Sequence, residues 1–111
     1  MPRGEYLGEF EQMVMLCVAR LEEGAYGIAI LDEMQHRTGV EVAVASVYAA
    51  LDRLERRGFV TSTIGASTPE RGGRAKRYFR LESAGAYALT RSRSALDSLW
   101  DGLEIDTDGL I

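Results

Sequence analysis

The feature that most constrains this chain is a single change in its hydrophobic period, which falls at Gly58. Before Gly58, apolar residues recur every three or four positions, as they do along one face of an α-helix. After it comes the β-branched run 59–64, and a second strand-like run, 75–81, follows a glycine-rich loop over 65–73. The chain is therefore expected to form helices first and a β-hairpin after them.

Glycines divide the part before the hairpin into three predicted helices. The first helix ends before Gly24, and its apolar stripe consists of Phe10, Met13, Val14, Cys17 and Leu21. The second helix runs from about residue 26 to 38 and the third from roughly 45 to 57. A last helix follows the hairpin, from about 83 to 103. This order is typical of a winged helix-turn-helix. The expected fold is mainly α with a small β-hairpin, within one domain: a winged helix-turn-helix over 7–81, a C-terminal helix over 82–104 and a frayed acidic tail over 105–111.

Charge is spread unevenly along the chain, and the overall net charge of −4 hides this. Residues 1–44 carry a net charge of −5, residues 45–80 carry +5 and residues 81–111 carry −4. A basic centre between acidic ends predicts one face that binds an anion such as the phosphate backbone of DNA. An unevenly charged, solvated surface would give the same counts, so the charge pattern by itself leaves both interpretations open.

The third predicted helix has the features of a DNA recognition helix. On a helical wheel Val47, Leu51 and Leu54 face inward, and the opposite side is small at its N-terminal end and basic further on. Small side chains let the backbone approach base edges in the major groove, while arginines reach guanine or phosphate. We expect Ser46, Tyr48, Ala49 and Arg53 nearest the bases, and Arg56 and Arg57 nearest the phosphates. The alternative is an ordinary surface helix that happens to carry arginines.

The loop between the predicted strands and the start of the second strand are cationic. Together they contain Arg71, Gly72, Gly73, Arg74, Lys76 and Arg77. Glycines allow a tight reversal, and a cationic hairpin can lie along a phosphate ridge or in a minor groove. A basic helix followed directly by a basic hairpin favours double-stranded DNA as the partner. The alternative is a winged helix that uses its basic wing on an acidic protein.

Other functional classes find little support in the sequence. One cysteine, Cys17, and one histidine, His36, leave little material for metal binding or acid–base catalysis, so no enzyme activity, metal or cofactor is expected. The chain has no uninterrupted apolar run near the ~18 residues of a membrane span, and residues 1–5 do not resemble a secretory signal. We therefore expect a cytoplasmic protein without membrane partners.

Four segments of the chain match a known pattern: Leu7 to Gln12 before the first helix, Tyr26 to Ile30 at the start of the second, Ser46 to Glu55 in the third, and Pro69 to Phe79 in the wing. With these segments the chain resembles the PadR family of transcriptional regulators over about residues 6–100. The resemblance implies a bacterial-type, dimeric, winged-helix repressor with a single C-terminal dimerisation helix. The predicted N-terminal caps of two helices depart from the family pattern. Before the third helix, Ala43 stands where a Ser or Thr is common. Before the last helix, Glu82 replaces a Thr, so Ser83 is the expected cap.

The last predicted helix carries leucines at intervals of seven residues. These are Leu89, Leu96 and Leu103, with Ser92 and Leu99 between them. Such a stripe is typical of a short coiled-coil-like seam, so we expect dimerisation through Leu89, Leu96, Leu99, Trp100 and Leu103. A two-fold dimer would present two recognition helices roughly 34 Å apart, about one turn of DNA, on a pseudo-palindromic operator.

Trp100 is the only tryptophan, and two roles remain open for it. Tryptophan buries a large area, which favours an anchor in the core of the dimer. The second role is a flat platform for a small aromatic effector, because some PadR-like multidrug regulators use a tryptophan on this helix in that way.

Overall fold

The structure, a computed structural model, describes residues 7–65 and 75–106. Its elements are α1 (Glu9–Leu21), a short 3-10 helix (Glu22–Gly24), α2 (Gly27–Thr38), α3 (Val44–Arg56), β1 (Val60–Ile64), β2 (Arg77–Leu81) and α4 (Ser83–Trp100). This order confirms the predicted fold class, which is mainly α with a small β-hairpin in a winged helix-turn-helix arrangement.

The apolar stripes of α1, α2 and α3 meet in one core. Its largest fully buried side chains include Val14, Met15 and Val18 from α1, Ile30 and Met34 from α2, and Val47, Leu51 and Leu54 from α3. Burial of such side chains is the dominant favourable term in folding. The inward face predicted for α3 is thus confirmed, and Cys17, at 6% exposure, belongs to the same core as predicted.

Glycines end the second and third helices in the left-handed region that other residues rarely adopt. Gly39 has φ 73° and its N–H donates to the carbonyl oxygen of Gln35 at 2.8 Å. Gly58 has φ 78° and leads the chain from α3 into the hairpin. Both helix ends were expected from the sequence, because this preference of glycine is local.

The starts of α3 and α4 lack side-chain caps. Helix α3 begins after Ala43, whose carbonyl oxygen accepts from the N–H groups of Ser46 and Val47 at 3.0 and 3.4 Å. The expectation that Ser83 caps the last helix is wrong, since Glu82 holds the cap position and Ser83 is the first helical residue. Glu82 has the extended backbone of a cap residue, with φ −93° and ψ 163°, and its carboxylate accepts from the hydroxyl of Thr61 at 2.9 Å instead of capping the helix.

The hairpin is antiparallel, and its register runs from Val60 opposite Leu81 to Ile64 opposite Arg77. Both strands are shorter than the predicted runs 59–64 and 75–81. We call the hairpin of β1 and β2 the wing. Its base contacts the connection between α1 and α2, where the N–H of Phe79 donates to the carbonyl oxygen of Ala25 at 2.8 Å. With Phe79 only 2% exposed, the hairpin is held on the same core that orients α3.

The first half of α4 packs on the chain's own core. Ala88 and Ser92 are 7% and 4% exposed, and the hydroxyl of Ser92 accepts from the N–H of Leu7 at 3.3 Å. Leu89, predicted to lie in the dimer seam, is partly buried against this same core. The seven-residue stripe is therefore divided, and only its later positions face solvent.

The second half of α4 projects from the core and ends earlier than predicted. The helix was expected to reach Leu103, but it stops at Trp100 because Asp101 is no longer helical and Gly102 takes φ 74°. Leu103 therefore lies beyond the helix, where its N–H donates to the carbonyl oxygen of Trp100 at 2.8 Å.

Gly85, in the first turn of α4, is required by close packing. A Cβ at this position would lie 2.3 Å from the carbonyl oxygen of Phe59 and 2.9 Å from Cδ1 of Leu81. We expect Gly85→Ala to lower the free energy of unfolding by about 1–3 kcal/mol, the usual cost of overpacking, in urea denaturation followed by circular dichroism. Gly24→Ala is the matched control, because a Cβ there meets no atom within 4 Å. Equal losses in the two variants would contradict the packing argument.

Candidate nucleic-acid interface

The outward side of α3 is accessible along its whole length. Its exposed residues are Val44, Ala45, Ser46, Tyr48, Ala49, Asp52, Arg53 and Arg56. Apart from Val44 and Tyr48, the exposed side chains of the first two turns are small, and those of the last two turns are charged. The burial of the opposite face fixes this side toward solvent. The helix thus offers one end that a backbone can approach closely and another that carries cations.

Tyr48 lies against the first residue of α2. A Cβ at Gly27 would come within 2.2 Å of the Tyr48 hydroxyl oxygen, so the ring occupies the space that the glycine leaves open. The sequence predicts that Tyr48 lies among the residues nearest the bases. In the structure the half-exposed ring stands at the N-terminal end of α2, where backbone N–H groups give a helix a partial positive charge.

Two arginines of the third-helix region are held by a carboxylate from α1. Glu11 Oε2 lies 3.3 Å from Nε of Arg53, and Glu11 Oε1 lies 3.9 Å from NH1 of Arg57. The guanidinium of Arg57 also stands 4.7 Å above the ring of Phe59. Sequence reasoning missed Glu11, because nothing local links a residue of the first helix to one that follows 42 positions later.

The side chain of Arg77 is held by contacts with α3 and β1. Its guanidinium pairs with Glu55 and lies 3.6 Å from Oδ1 of Asp52, while its Nε donates to the hydroxyl of Ser62 at 3.0 Å. Both carboxylates come from α3. The sequence placed Arg77 among the cations nearest phosphate and did not reveal this link.

Of the remaining predicted wing residues, Lys76 lies in the described part of the chain and the others lie outside it. Lys76 is exposed, and its Nζ stands 4.2 Å above the ring of Tyr26, which in turn packs edge-on against Tyr78. The predicted wing residues Arg71, Gly72, Gly73 and Arg74 lie outside the described residues. Lys76 thus stands at the start of α2 as Tyr48 does.

Away from this face, the described residues offer little chemistry. Burial raises the pKa of the Cys17 thiol, which disfavours the reactive thiolate. A hydrogen bond from Arg37 lowers the pKa of Glu33, in an exposed cluster that also includes Arg20. Within residues 7–65 and 75–106 no group of three potential ligands is placed to hold a metal ion. In the same ranges, none of the helices combines the length and apolar character that crossing a bilayer requires.

Comparison with known proteins agrees with this geometry. A family model described as the transcriptional regulator PadR-like family matches residues 15–91. A PadR family transcriptional regulator from Eggerthella lenta is 26% identical, with a TM-score of 0.64, over 85% of this chain and 81% of that one. A PadR-like transcription factor from Bacteroides fragilis is 20% identical, with a TM-score of 0.69, over 83% and 84%. Another PadR-like regulator, from Bacillus cereus, is 18% identical, with a TM-score of 0.66, over 83% and 84%. A search of curated proteins found no match.

An exposed helix beside a hairpin, both held on a three-helix core, defines a DNA-binding protein of the winged-helix class. The family model spans more than half of the chain, and the chain belongs to the PadR-like family of transcriptional regulators. The resemblance recognised in the sequence is thereby confirmed. The family consists of transcription regulators and not of enzymes, as the sequence predicted for this chain.

The contact between Glu11 and the two arginines predicts an effect on DNA binding. Glu11→Gln removes a carboxylate that competes with phosphate, so we expect affinity for any duplex to rise by up to about fivefold at low salt, the equivalent of about 0.2–1 kcal/mol for an exposed ion pair. Fluorescence anisotropy with a random duplex measures this change. Glu9→Gln, an exposed site in the same turn, makes the same change in net charge. If both variants gained equally, net charge and not the contact would be responsible.

Proposed function

We propose that this chain is a sequence-specific, dimeric repressor that binds a pseudo-palindromic operator in double-stranded DNA. The observation that carries the proposal is the exposed side of α3, which is small at Ser46 and Ala49 and cationic at Arg53 and Arg56. A helix of this shape enters the major groove with its N-terminal end nearest the bases. Membership of a family of transcriptional regulators supports DNA as the partner.

In the proposed complex the contacts divide between bases and backbone. The bases are read by Ser46, Tyr48, Ala49 and Arg53; the phosphates are bound by Arg56 and Arg57 and by the wing, with Arg71, Gly72, Gly73, Arg74 and Lys76. Arg53 and Arg57 exchange Glu11 for DNA when the complex forms, since one guanidinium serves carboxylate and phosphate alike. Base contacts give specificity, whereas phosphate contacts give affinity and register.

The free end of α4 supports dimerisation. Leu96, Leu99 and Trp100 are 52%, 75% and 54% exposed, and Leu103 just beyond the helix is 53% exposed. Large apolar side chains that lie together in solvent mark an interaction surface. In our proposal a second copy covers them about a two-fold axis, and two copies of α3 then stand roughly 34 Å apart, about one turn of DNA.

A second apolar surface, on α1, also fits a second copy of the chain as its partner. Leu16 is 50% exposed beside a groove of about 490 Å³ that Met13 also lines. Arg20 and Arg37 lie at this groove, while the stretch 97–106 at the end of α4 contains four carboxylates. Apolar and charge complementarity therefore support a dimer in which the end of one α4 lies on the α1 of the other copy.

Repression and release complete the proposal. A dimer bound across a promoter excludes other proteins from it, which makes repression the simplest outcome of binding. Trp100 is the proposed platform for a small aromatic effector, because its indole is half exposed on the helix that joins the two copies. An effector bound between the copies would change the spacing of the recognition helices and so release the operator.

One observation favours a second candidate function, the binding of an acidic protein by the basic wing and α3. Arg53, Arg57 and Arg77 already bind carboxylates within the chain, so this face accepts acidic side chains as well as phosphate. A steep dependence of duplex binding on salt, together with competition by a defined sequence, would favour the DNA function over this one.

The experiment that tests the proposed function is selection of fragmented genomic DNA by the purified protein at near-physiological salt, followed by sequencing. Enrichment of a few fragments that share an inverted repeat is the expected result. Retention without sequence preference would contradict specific recognition and leave only electrostatic binding. If no DNA were retained, with or without planar aromatic compounds, the acidic-protein function would replace the DNA function.

Base and phosphate contacts predict different losses upon mutation. Arg53→Ala should cost roughly 1–3 kcal/mol of operator affinity and relax preference at one base pair, if the guanidinium reads a guanine. Arg74→Ala should weaken binding to all sequences and flatten the salt slope by about one unit. Anisotropy titrations of operator variants over a salt series measure both. A uniform loss in both variants would contradict the assignment of Arg53 to the bases.

The dimer predicts the behaviour of a variant at the end of α4. Leu99→Asp places a charge in the proposed interface, so the dimer dissociation constant should rise by about 30-fold or more, measured by sedimentation equilibrium. The emission of Trp100 should shift to the red as its indole meets water. Tyr87→Asp is the control, because Tyr87 is 69% exposed on the same helix but on another side. Unchanged association of Leu99→Asp would exclude this surface as the interface.

A further inference from the structure

Arg77 is the most fully engaged cation among the described residues of the wing. Its NH2 pairs with Oε1 of Glu55, its NH1 lies 3.6 Å from Oδ1 of Asp52, and its Nε donates to the Ser62 hydroxyl at 3.0 Å. The guanidinium also lies over the ring of Phe79, with 5.0 Å from Cζ to the ring centroid. Two of its three nitrogens therefore donate hydrogen bonds within the chain, and the third lies in an ion pair with Asp52.

The contacts of Arg77 join three elements. Arg77 begins β2, Ser62 is on β1, and Glu55 and Asp52 are on α3. The second oxygen of the Glu55 carboxylate accepts from the Ser62 hydroxyl at 2.8 Å, so this carboxylate binds both strands of the wing. The recognition helix and the hairpin are thus connected directly, in addition to their shared core.

The position of Arg77 along the hairpin determines which part of the wing its contacts with α3 hold in place. Arg77 lies opposite Ile64, in the last pair of the register before the segment that carries Arg71 and Arg74. A two-stranded hairpin is marginally stable by itself and needs packing against another element. An anchor at this pair holds the end of the described hairpin against α3.

We propose that Arg77 is a positioning residue, which locks the wing to the recognition helix through Glu55 and Asp52, and that it does not bind phosphate. The inference rests on the proposed DNA-binding function and revises the sequence-based assignment of Arg77. When the distance between α3 and the wing is already set before DNA binds, less conformational entropy is lost on binding.

The local charges support positioning over phosphate binding. One guanidinium faces two carboxylates, so the cluster is net negative and repels an approaching phosphate. The planar fork of arginine matches several acceptors at once, whereas lysine offers a single point charge. Arg77→Lys should therefore fail to restore what Arg77→Gln loses, although it keeps the positive charge.

The sign of one substitution separates the two roles. If Arg77 bound phosphate, Glu55→Gln would free it and strengthen operator binding. If Arg77 positions the wing, Glu55→Gln weakens operator binding as Arg77→Gln does, on the order of tenfold, and the double variant loses no more than either single one. Arg80→Gln is the matched control, since Arg80 is exposed on the same strand but on the opposite face of the sheet.

A measurement without DNA tests the lock independently. The Gly65 N–H donates to the carbonyl oxygen of Lys76 at 2.7 Å, next to the anchored pair, whereas the Phe79 N–H reports the base of the wing. Hydrogen exchange of Gly65 should accelerate on the order of tenfold in Arg77→Gln and Glu55→Gln, with Phe79 unchanged.

Three outcomes would decide whether Arg77 holds the wing against α3. Faster Gly65 exchange and equal, non-additive losses of operator affinity support the lock. Stronger DNA binding by Glu55→Gln, or unchanged Gly65 exchange, overturns it. If the wild-type protein binds no operator, the proposed function fails, and the exchange of Gly65 alone then decides whether Arg77 holds the wing.

Discussion

The apolar face of α3 is buried, and the placement of the hairpin and of the exposed side of α3 follows from this burial. Val47, Leu51 and Leu54 are completely buried against α1 and α2, and this fixes the rotation of the helix. A slip of one residue would turn the helix by about 100° and carry its arginines toward the core. Because the hairpin base shares this core through Phe79, the same packing sets both parts of the DNA-binding face.

Electrostatic contacts then refine that face. The basic window of the sequence suggests a set of cations free for DNA, yet Glu11 holds Arg53 and Arg57, and Glu55 holds Arg77. In the proposed complex, DNA competes with the Glu11 carboxylate for Arg53 and Arg57. Because Arg53 is proposed to read bases and Arg57 to bind phosphate, Glu11 opposes both kinds of contact.

Helix α4 links the core to the proposed partner copy. Its first half is tied down by Ser92, which accepts from the backbone of Leu7 just before α1, and its second half presents Leu99 and Trp100 to solvent. Since α1 also carries Glu11, one short segment touches α4 on one side and the recognition helix on the other. In the proposed dimer, a change in how two copies pack would therefore have a direct physical route to the face proposed to bind DNA.

Periodicity and glycine conformation are local properties, so the sequence alone predicted the order of the elements, the inward face of α3 and the helix ends at Gly39 and Gly58. It misjudged the end of α4, where Gly102 stops the helix before Leu103. The packing of the helices against one another determines which described cations are engaged, since an ion pair such as that of Glu11 and Arg53 joins residues whose proximity no local pattern encodes. Such pairs form only when whole helices pack together, because the contacts between helices join residues that are far apart in the sequence.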